Sequence, residues 1–545
     1  MPVDLAVVNG RVHTVAGKLA EAEAIAVTGS KIEAVGRDDE IRDLYGPKTR
    51  VIDAGGATVL PGFIDAHNHV RLGSNPGAVS LFGATSLDEI RGRLDAFADA
   101  HPDATWIEGE GWNYAAVPGG SPTAEMLEGS GRGKALFLFS YDVHTVWLNR
   151  EALRRLAITR DTVHLPWGTV EMHPVTGEPT GYVHDFAVLG ISEDGQRALE
   201  PHIPGYARDA QYERLVASLD MAVSYGITTI VEPQNGLDDI ELFVRAADEG
   251  TLRSRLIAAM LCLPGTDGAR LDALVEAKRT FADDRFRVGP IKLYIDDVIE
   301  PHTAAMLEPY ANAATAGDTF WPPAEFAAFL LELERRGLQS FTHATGDRGI
   351  RTVLDAVQGC REELGPVDVR HQIVHVECVH PDDLPRFGEL GVIACMQPRH
   401  CAPDIVREWR ANVGPERERF AWPFRSIAAA GGTLAFSSDW NVAEMDPMTW
   451  LYTAVTRADL EGNDAWNGAE TVDLETAVRA ATGGSAFANH VEDRRGALVA
   501  GYDADVVVLD RDLFEPGDPR AILDTHVTHS VVDGVVVFER GARSD

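Results

Sequence analysis

Short β-branched runs open the chain: Leu5–Val8, Ala24–Val27, Ile32–Val35 and Val51–Ile52, punctuated by Gly10, Gly17, Gly29 and Gly36. This pattern predicts small hairpins. The end of the chain repeats it with Ala504–Leu509 and with Ser530–Phe538, the latter broken at Asp533-Gly534, a dipeptide suited to a type I′ turn. Between these ends, apolar runs alternate with helical patterns. Eight runs read as parallel strands: Thr58–Ile64, Ile227–Val231, Leu256–Leu261, Ile291–Ile295, Gln339–Thr342, Gln372–Val376, Val392–Met396 and Thr433–Phe436. Pro323–Arg336 carries Phe326, Phe329, Leu330 and Leu333 on one helical face, with Gly337 as a stop. Eight strands separated by helices predict an α/β fold, a TIM-like (β/α)8 barrel. Periodicity alone also fits an open α/β sheet.

Two features complete the architecture. Both strand-rich ends predict one small β-sandwich built from the two termini and split by the barrel. The interval between strand one and strand two far exceeds a βα loop. It contains a capping box at Ser86–Glu89, an amphipathic run through Leu87, Ile90, Leu94 and Phe97, and an apolar run at Ala135–Phe139. A large folded insertion after strand one is therefore expected, overhanging the C-terminal mouth of the barrel. The expected domains are 1–57 and 483–545 for the sandwich and 58–482 for the barrel, with the insertion at about 74–205.

Composition narrows the function. The 545 residues include 84 acidic and 49 basic ones, a formal charge of −35. Phosphate binding needs clustered Lys and Arg, so nucleic acid is excluded as a partner, and an anionic membrane surface is disfavoured. The N-terminus lacks the basic start and apolar stretch of a signal peptide, and no run suffices for a membrane span. Five cysteines form no Cys-x-x-Cys pair, which suits a reducing cytoplasm. A small-molecule substrate is expected, and a homodimer is compatible with the fold. Only six basic residues are lysines, so one in an apolar run attracts notice.

The sharpest chemical signal is PGFIDAHNH, residues 61–69. Residues i and i+2 of a strand share a face, so His67 and His69 can point inward at one metal; two unrelated polar histidines satisfy the same spacing. Lys292 lies inside Ile291–Tyr294, where an unpaired ammonium is costly. His343 follows Phe341-Thr342, His375 follows Ile373-Val374, and Asp439 follows Phe436-Ser437-Ser438. The spacing is 32 residues from His343 to His375 and 64 from His375 to Asp439, matching one βα unit and then two. Strands one, four, five, six and eight thus each end in a potential ligand. A lysine paired with Asp439 or Asp296 is the alternative for Lys292.

These segments, with GITTI, IKLYIDD, FTHATGDR, IVHVECVHPDD, ACMQPRH, FSSDWNV and GALVAGYDADVVVLD, run along most of the chain. Together they resemble the amidohydrolase superfamily, in the branch similar to N-substituted formamide deformylases. The chain departs from the glycine- and serine-rich stretch of many relatives after Lys-x-x-x-Asp, carrying Asp297–His302 there. The resemblance implies two divalent metal ions, zinc by default: His67, His69 and Asp439 on the first, His343 and His375 on the second. It also implies a CO2-derived carbamate on Lys292 as the bridge. The implied reaction is hydrolysis of an amide-type C–N bond by a metal-bridging hydroxide, with Asp439 passing the proton to the leaving amine. A lyase with a mononuclear site and an inactive scaffold are the alternatives.

Four further residues are expected at the substrate. Trp112 and His144 lie in G-x-G-W and D-x-H-x-x-W-x-N segments similar to those of related enzymes, although insertion core is an equal reading. Gln397 and Arg399 follow strand seven, where Arg399 could hold a carboxylate or make a salt bridge. Glu232 and Glu377 are expected to support the site, His371 to lie toward the barrel bottom, and His380, His400 and His490 show no pattern that assigns a role.

Overall fold

A computed structural model describes residues 2–17, 22–73, 75, 77–515 and 517–541. The chain divides into two compact units. One comprises Met1–His69, Leu219–Pro233 and Phe243–Asp545, the other Val70–Ser218 and Gln234–Leu242.

The first unit holds an eight-stranded sheet whose order follows the chain. Its barrel strands one to eight are Phe63–Asp65, Ile227–Asn235, Arg255–Leu261, Phe286–Tyr294, Ser340–Ala344, Gln372–His375, Ile393–Met396 and Thr433–Phe436. The paired registers given between neighbours are parallel. The Ala66 N–H donates to the Phe436 carbonyl at 3.4 Å, bringing the last strand against the first. The result is a nearly closed TIM-like barrel. Its interior is filled by Val231, Ile257, Phe341, Val374, Ile393 and other buried side chains, so the strand ends, not a pore, carry the polar groups. The helix Pro323–Arg335 forms as the periodicity predicts, burying Phe326, Leu330 and Leu333.

Strand one is shorter than expected. Thr58–Pro61 belongs to a different sheet, paired with Arg11–Val12 on one side and Val506–Leu509 on the other. The change of sheet occurs at Gly62, where a Cβ would sit 2.1 Å from Thr228 Oγ1. The expected barrel start at residue 58 therefore moves to 63. Past residue 482, the Ser485 hydroxyl donates to the Phe436 carbonyl, and Ala486 packs on Ile64.

The termini form two sheets. One contains Leu5–Val8, Ala24–Thr28, Lys31–Gly36 and Arg50–Asp53; the other joins Arg11–Val12 and Thr58–Pro61 to Val506–Leu509, Val527–Val532 and Val535–Glu539. Asp533 and Gly534 both adopt positive φ, 53° and 74°, as a type I′ turn requires. Arg255, buried at the start of barrel strand three, donates to both carboxylate oxygens of Asp505 and to Asp533, tying the barrel to the C-terminal strands.

The second unit has its own seven-stranded sheet and aromatic core. It extends beyond the expected 74–205, and Ser74 itself lies outside the described residues. The helix Leu87–Ala100 begins at Ser86, whose Oγ accepts the Glu89 N–H, and the run at 135–139 is a strand, Ala135–Ser140. No helix among the described residues is long and apolar enough to cross a membrane.

Candidate metal and catalytic site

The polar strand ends of the first unit converge on Asp439. Its Oδ1 lies 3.1 Å from His67 Nε2 and 3.3 Å from His69 Nε2. Its Oδ2 lies 3.7 Å from His400 Nε2 and 3.9 Å from His375 Nδ1. Donor atoms of His67, His375 and Asp439 all lie within 4.8 Å of one another. All three side chains are buried.

The backbone holds them there. Asp439 N–H donates to the His67 carbonyl, His69 N–H to that of Trp440, and Asn68 N–H to that of Val231, linking the segments after strands one, eight and two. His375, Val376 and Asp439 occupy the left-handed region at φ 79°, 53° and 57°. Such strain in non-glycine residues concentrates at functional sites. Asp65 adds a side-chain clasp: one oxygen accepts the Ser438 N–H (3.0 Å) and the other accepts the Ser438 hydroxyl (2.6 Å) and Asn68 Nδ2 (2.8 Å). Burial pushes its carboxyl up to about 7 against these donors.

Lys292 stands inside barrel strand four, 1% exposed. Its Nζ lies 4.6 Å from the centre of the Tyr294 ring and 5.4 Å from that of Phe341. Burial lowers its pKa to about 8, against the opposing pull of Asp439. Asp296, considered as a partner, instead accepts backbone N–H groups of Ala305, Thr345 and Gly346. The His343 ring packs 4.4 Å from that of His375, and its Nε2 is 3.1 Å from the Asp297 carbonyl.

The electrostatics suit a cation. Burial, aided by Lys292, lowers His67 to about 3; burial and His343 take His375 well below its ordinary value. Burial works to raise the Asp439 carboxyl, but His67, His69 and His375 outweigh it and hold it well below the usual range. Neutral imidazoles facing an ionised carboxylate form the protonation state that metal ligation demands. Asp439 Oδ1, His67 Nδ1 and His400 Nε2 are buried without hydrogen-bond partners among the described residues. A divalent ion fits this donor set.

Other expected residues fall elsewhere. Trp112 is fully buried in the second unit, its indole N–H donating to the Leu138 carbonyl and its ring packed on Trp147, Tyr114 and Tyr182. His144 is buried in the same unit, its backbone N–H held by Asp142. Gln397 donates to Ser437 Oγ at 2.8 Å. Arg399 is paired through Nε with Glu444 and through both terminal nitrogens with Asp404, so it is a salt-bridge residue and not a free carboxylate clamp. His371 bonds Ser340 and Glu334 toward the strand starts, as its position suggested. His400, Glu377 and Asp65 are what the sequence reading missed or left outside the ligand set; PRH after strand seven was the available signal for the first.

The sequence profile of the Amidohydrolase family matches residues 50–538. The chain is 26% identical over 557 residues to an N-substituted formamide deformylase of Arthrobacter pascens, covering 98% of each chain. It is 27% identical over 542 residues to Protein LONG AFTER FAR-RED 3 of Arabidopsis thaliana, covering 96% of this chain and 90% of that one. An uncharacterized metal-dependent hydrolase from Pyrococcus furiosus has a similar fold, with a TM-score of 0.71 at 23% identity over 95% of this chain and 99% of that one.

Proposed function

Because the chain belongs to the amidohydrolase family and is a metal-dependent hydrolase acting on C–N bonds, we propose that it cleaves an amide-type bond in a small N-substituted formamide or N-acyl compound. The observation that carries this reading is the convergence of the buried His67, His69 and His375 on the Asp439 carboxylate. His67, His69 and Asp439 would hold one divalent ion and His343 with His375 a second, zinc suiting imidazole and carboxylate donors. When bound, such ions bring the pKa of a coordinated water toward neutrality and polarise a scissile carbonyl.

The chain's own groups complete the chemistry. Asp439 is the base: a carboxylate kept ionised by its imidazole neighbours takes the proton of the attacking water and delivers it to the departing nitrogen. Lys292, with its pKa lowered to about 8, keeps a neutral fraction able to react with CO2 and form the proposed bridging carbamate. Asp65 holds Ser438, and so Asp439, in place. The terminal sheets form the proposed β-sandwich, and five buried free thiols accord with a cytoplasmic protein.

The test is hydrolysis of a panel of N-substituted formamides and N-acyl amino acids by chelator-stripped protein before and after zinc is restored. Amine release that returns with the metal is expected; none from the fully metallated protein on any substrate would overturn the substrate class. Labelled bicarbonate should give a carbamate resonance that Lys292→Met abolishes, and active, metallated protein without that resonance would remove the bridge.

A further inference from the structure

A second group of donors shares the mouth with the cluster just described. His375 ends barrel strand six, Glu377 follows two residues later, and His400 lies in the helical turn Pro398–Cys401 after strand seven. One ligand atom of each lies within 4.8 Å of those of the other two. Two imidazoles and one carboxylate form a donor set suited to divalent first-row metals.

Three observations give this group a purpose. Asp439 presents opposite oxygens to different imidazole pairs: Oδ1 faces His67 and His69, and Oδ2 faces His375 and His400. A carboxylate so placed can face two cations. Next, His400 Nε2 is buried without a hydrogen-bond partner, and its 3.7 Å separation from Asp439 is too long for a hydrogen bond. A buried, unsatisfied nitrogen calls for a group that fills the gap. The His375 and His400 rings lie parallel within 8°, their centroids 6.0 Å apart.

Glu377 supplies the third observation. It is 6% exposed, and the Trp409 indole N–H donates to its Oε2 at 2.9 Å. A buried carboxylate held by that one N–H donor keeps room for a cation as a further partner.

We propose that Glu377 and His400 join His375 around the second divalent cation, on the Oδ2 side of Asp439 and next to the cation of the His67–His69 position. This deepens the two-cation reading above and rests on its first position. The outer side of the second cation thereby falls to Glu377 and His400, residues that the family resemblance did not enlist as ligands.

The test uses the full chain, stripped by chelator and titrated with Mn2+. Metal content is read by mass spectrometry and cation–cation coupling by electron paramagnetic resonance. Wild type should bind two equivalents and show an exchange-coupled signal. Glu377→Gln and His400→Asn should each lose one equivalent, or bind it more than about tenfold more weakly, and show the signal of an isolated ion. Glu377→Asp should fall between, as a shortened ligand of unchanged charge. Wild-type stoichiometry, affinity and coupling in both Glu377→Gln and His400→Asn would overturn the proposal, as would a single equivalent in the wild type. Circular dichroism and melting of each variant separate ligand loss from unfolding; if Glu377→Gln unfolds, His400→Asn decides. His67→Asn should lose the other equivalent. Its retention of both would refute the first position without touching the Glu377 and His400 results.

Discussion

Asp65 is the strongest single test of how the fold sets the site. In Asp65→Ala, the Ser438 N–H and Asn68 Nδ2 both lose a buried carboxylate acceptor, while the Ser438 hydroxyl can rotate elsewhere. Each fixed donor left without a partner costs about 1–3 kcal/mol, so with the His67 N–H as a third such donor the expected destabilisation is about 3–9 kcal/mol. The functional effect has a separate origin. Ser438 precedes Asp439, and Asp65 lies two residues before His67, whose N–H it accepts at 3.3 Å. Loosening this clasp shifts the base relative to the imidazoles, and a displacement of about 1 Å can cost about 100-fold in rate. Asp65→Asn keeps one acceptor oxygen and should lose less on both counts. Urea unfolding monitored by tryptophan fluorescence gives the stability change, and steady-state amine release by zinc-loaded protein gives kcat. An Asp65→Ala protein with both the wild-type midpoint and the wild-type kcat would refute the clasp.

Asp439→Asn should fold normally, yet lose about 100- to 10,000-fold in kcat as the proton carrier disappears; wild-type turnover in steady-state assays would disprove that role. Arg399→Ala should leave KM for carboxylate-bearing substrates unchanged, because its guanidinium is engaged by Asp404 and Glu444, and a KM increase of more than about tenfold would restore the clamp reading. In the second unit, burial pushes Glu110 up to about 7, opposed by the Asn75 N–H and Arg214. Its native form therefore binds the proton more tightly than the unfolded chain, and stability falls as pH rises from about 4.3 through 7. Glu110→Gln should raise the melting temperature at pH 8 relative to wild type much more than at pH 5, and equal shifts at both would contradict the sign.

Periodicity made the barrel legible because parallel strands buried on both faces read as continuous apolar runs. His67, His69, His343, His375 and Asp439 were legible because a polar residue ending such a run marks the catalytic face. The start of strand one was not: Thr58–Ile64 lacks any charged residue, and the contact that divides it, Gly62 against Thr228, comes from another part of the chain. A tryptophan packed in a core and one lining a pocket carry the same local pattern, so the sequence around Trp112 fits both. His400 and Glu377 needed coordinates. Their proximity to Asp439 depends on how two loops after different strands turn, which one-dimensional spacing does not encode.

The change of sheet at Gly62 has a consequence for the order of events in the cell. Thr58–Pro61, the strand just ahead of barrel strand one and its His67–His69 pair, is flanked by Val506–Leu509, so Val59 pairs with Val508, more than 400 residues away. During synthesis that neighbour does not exist until residues 506–509 leave the ribosome, and contacts so distant in sequence form late. The histidine pair is therefore made early and fixed late. A nascent chain halted before residue 506 carries the histidine motif while the sheet that holds Thr58–Pro61 is incomplete.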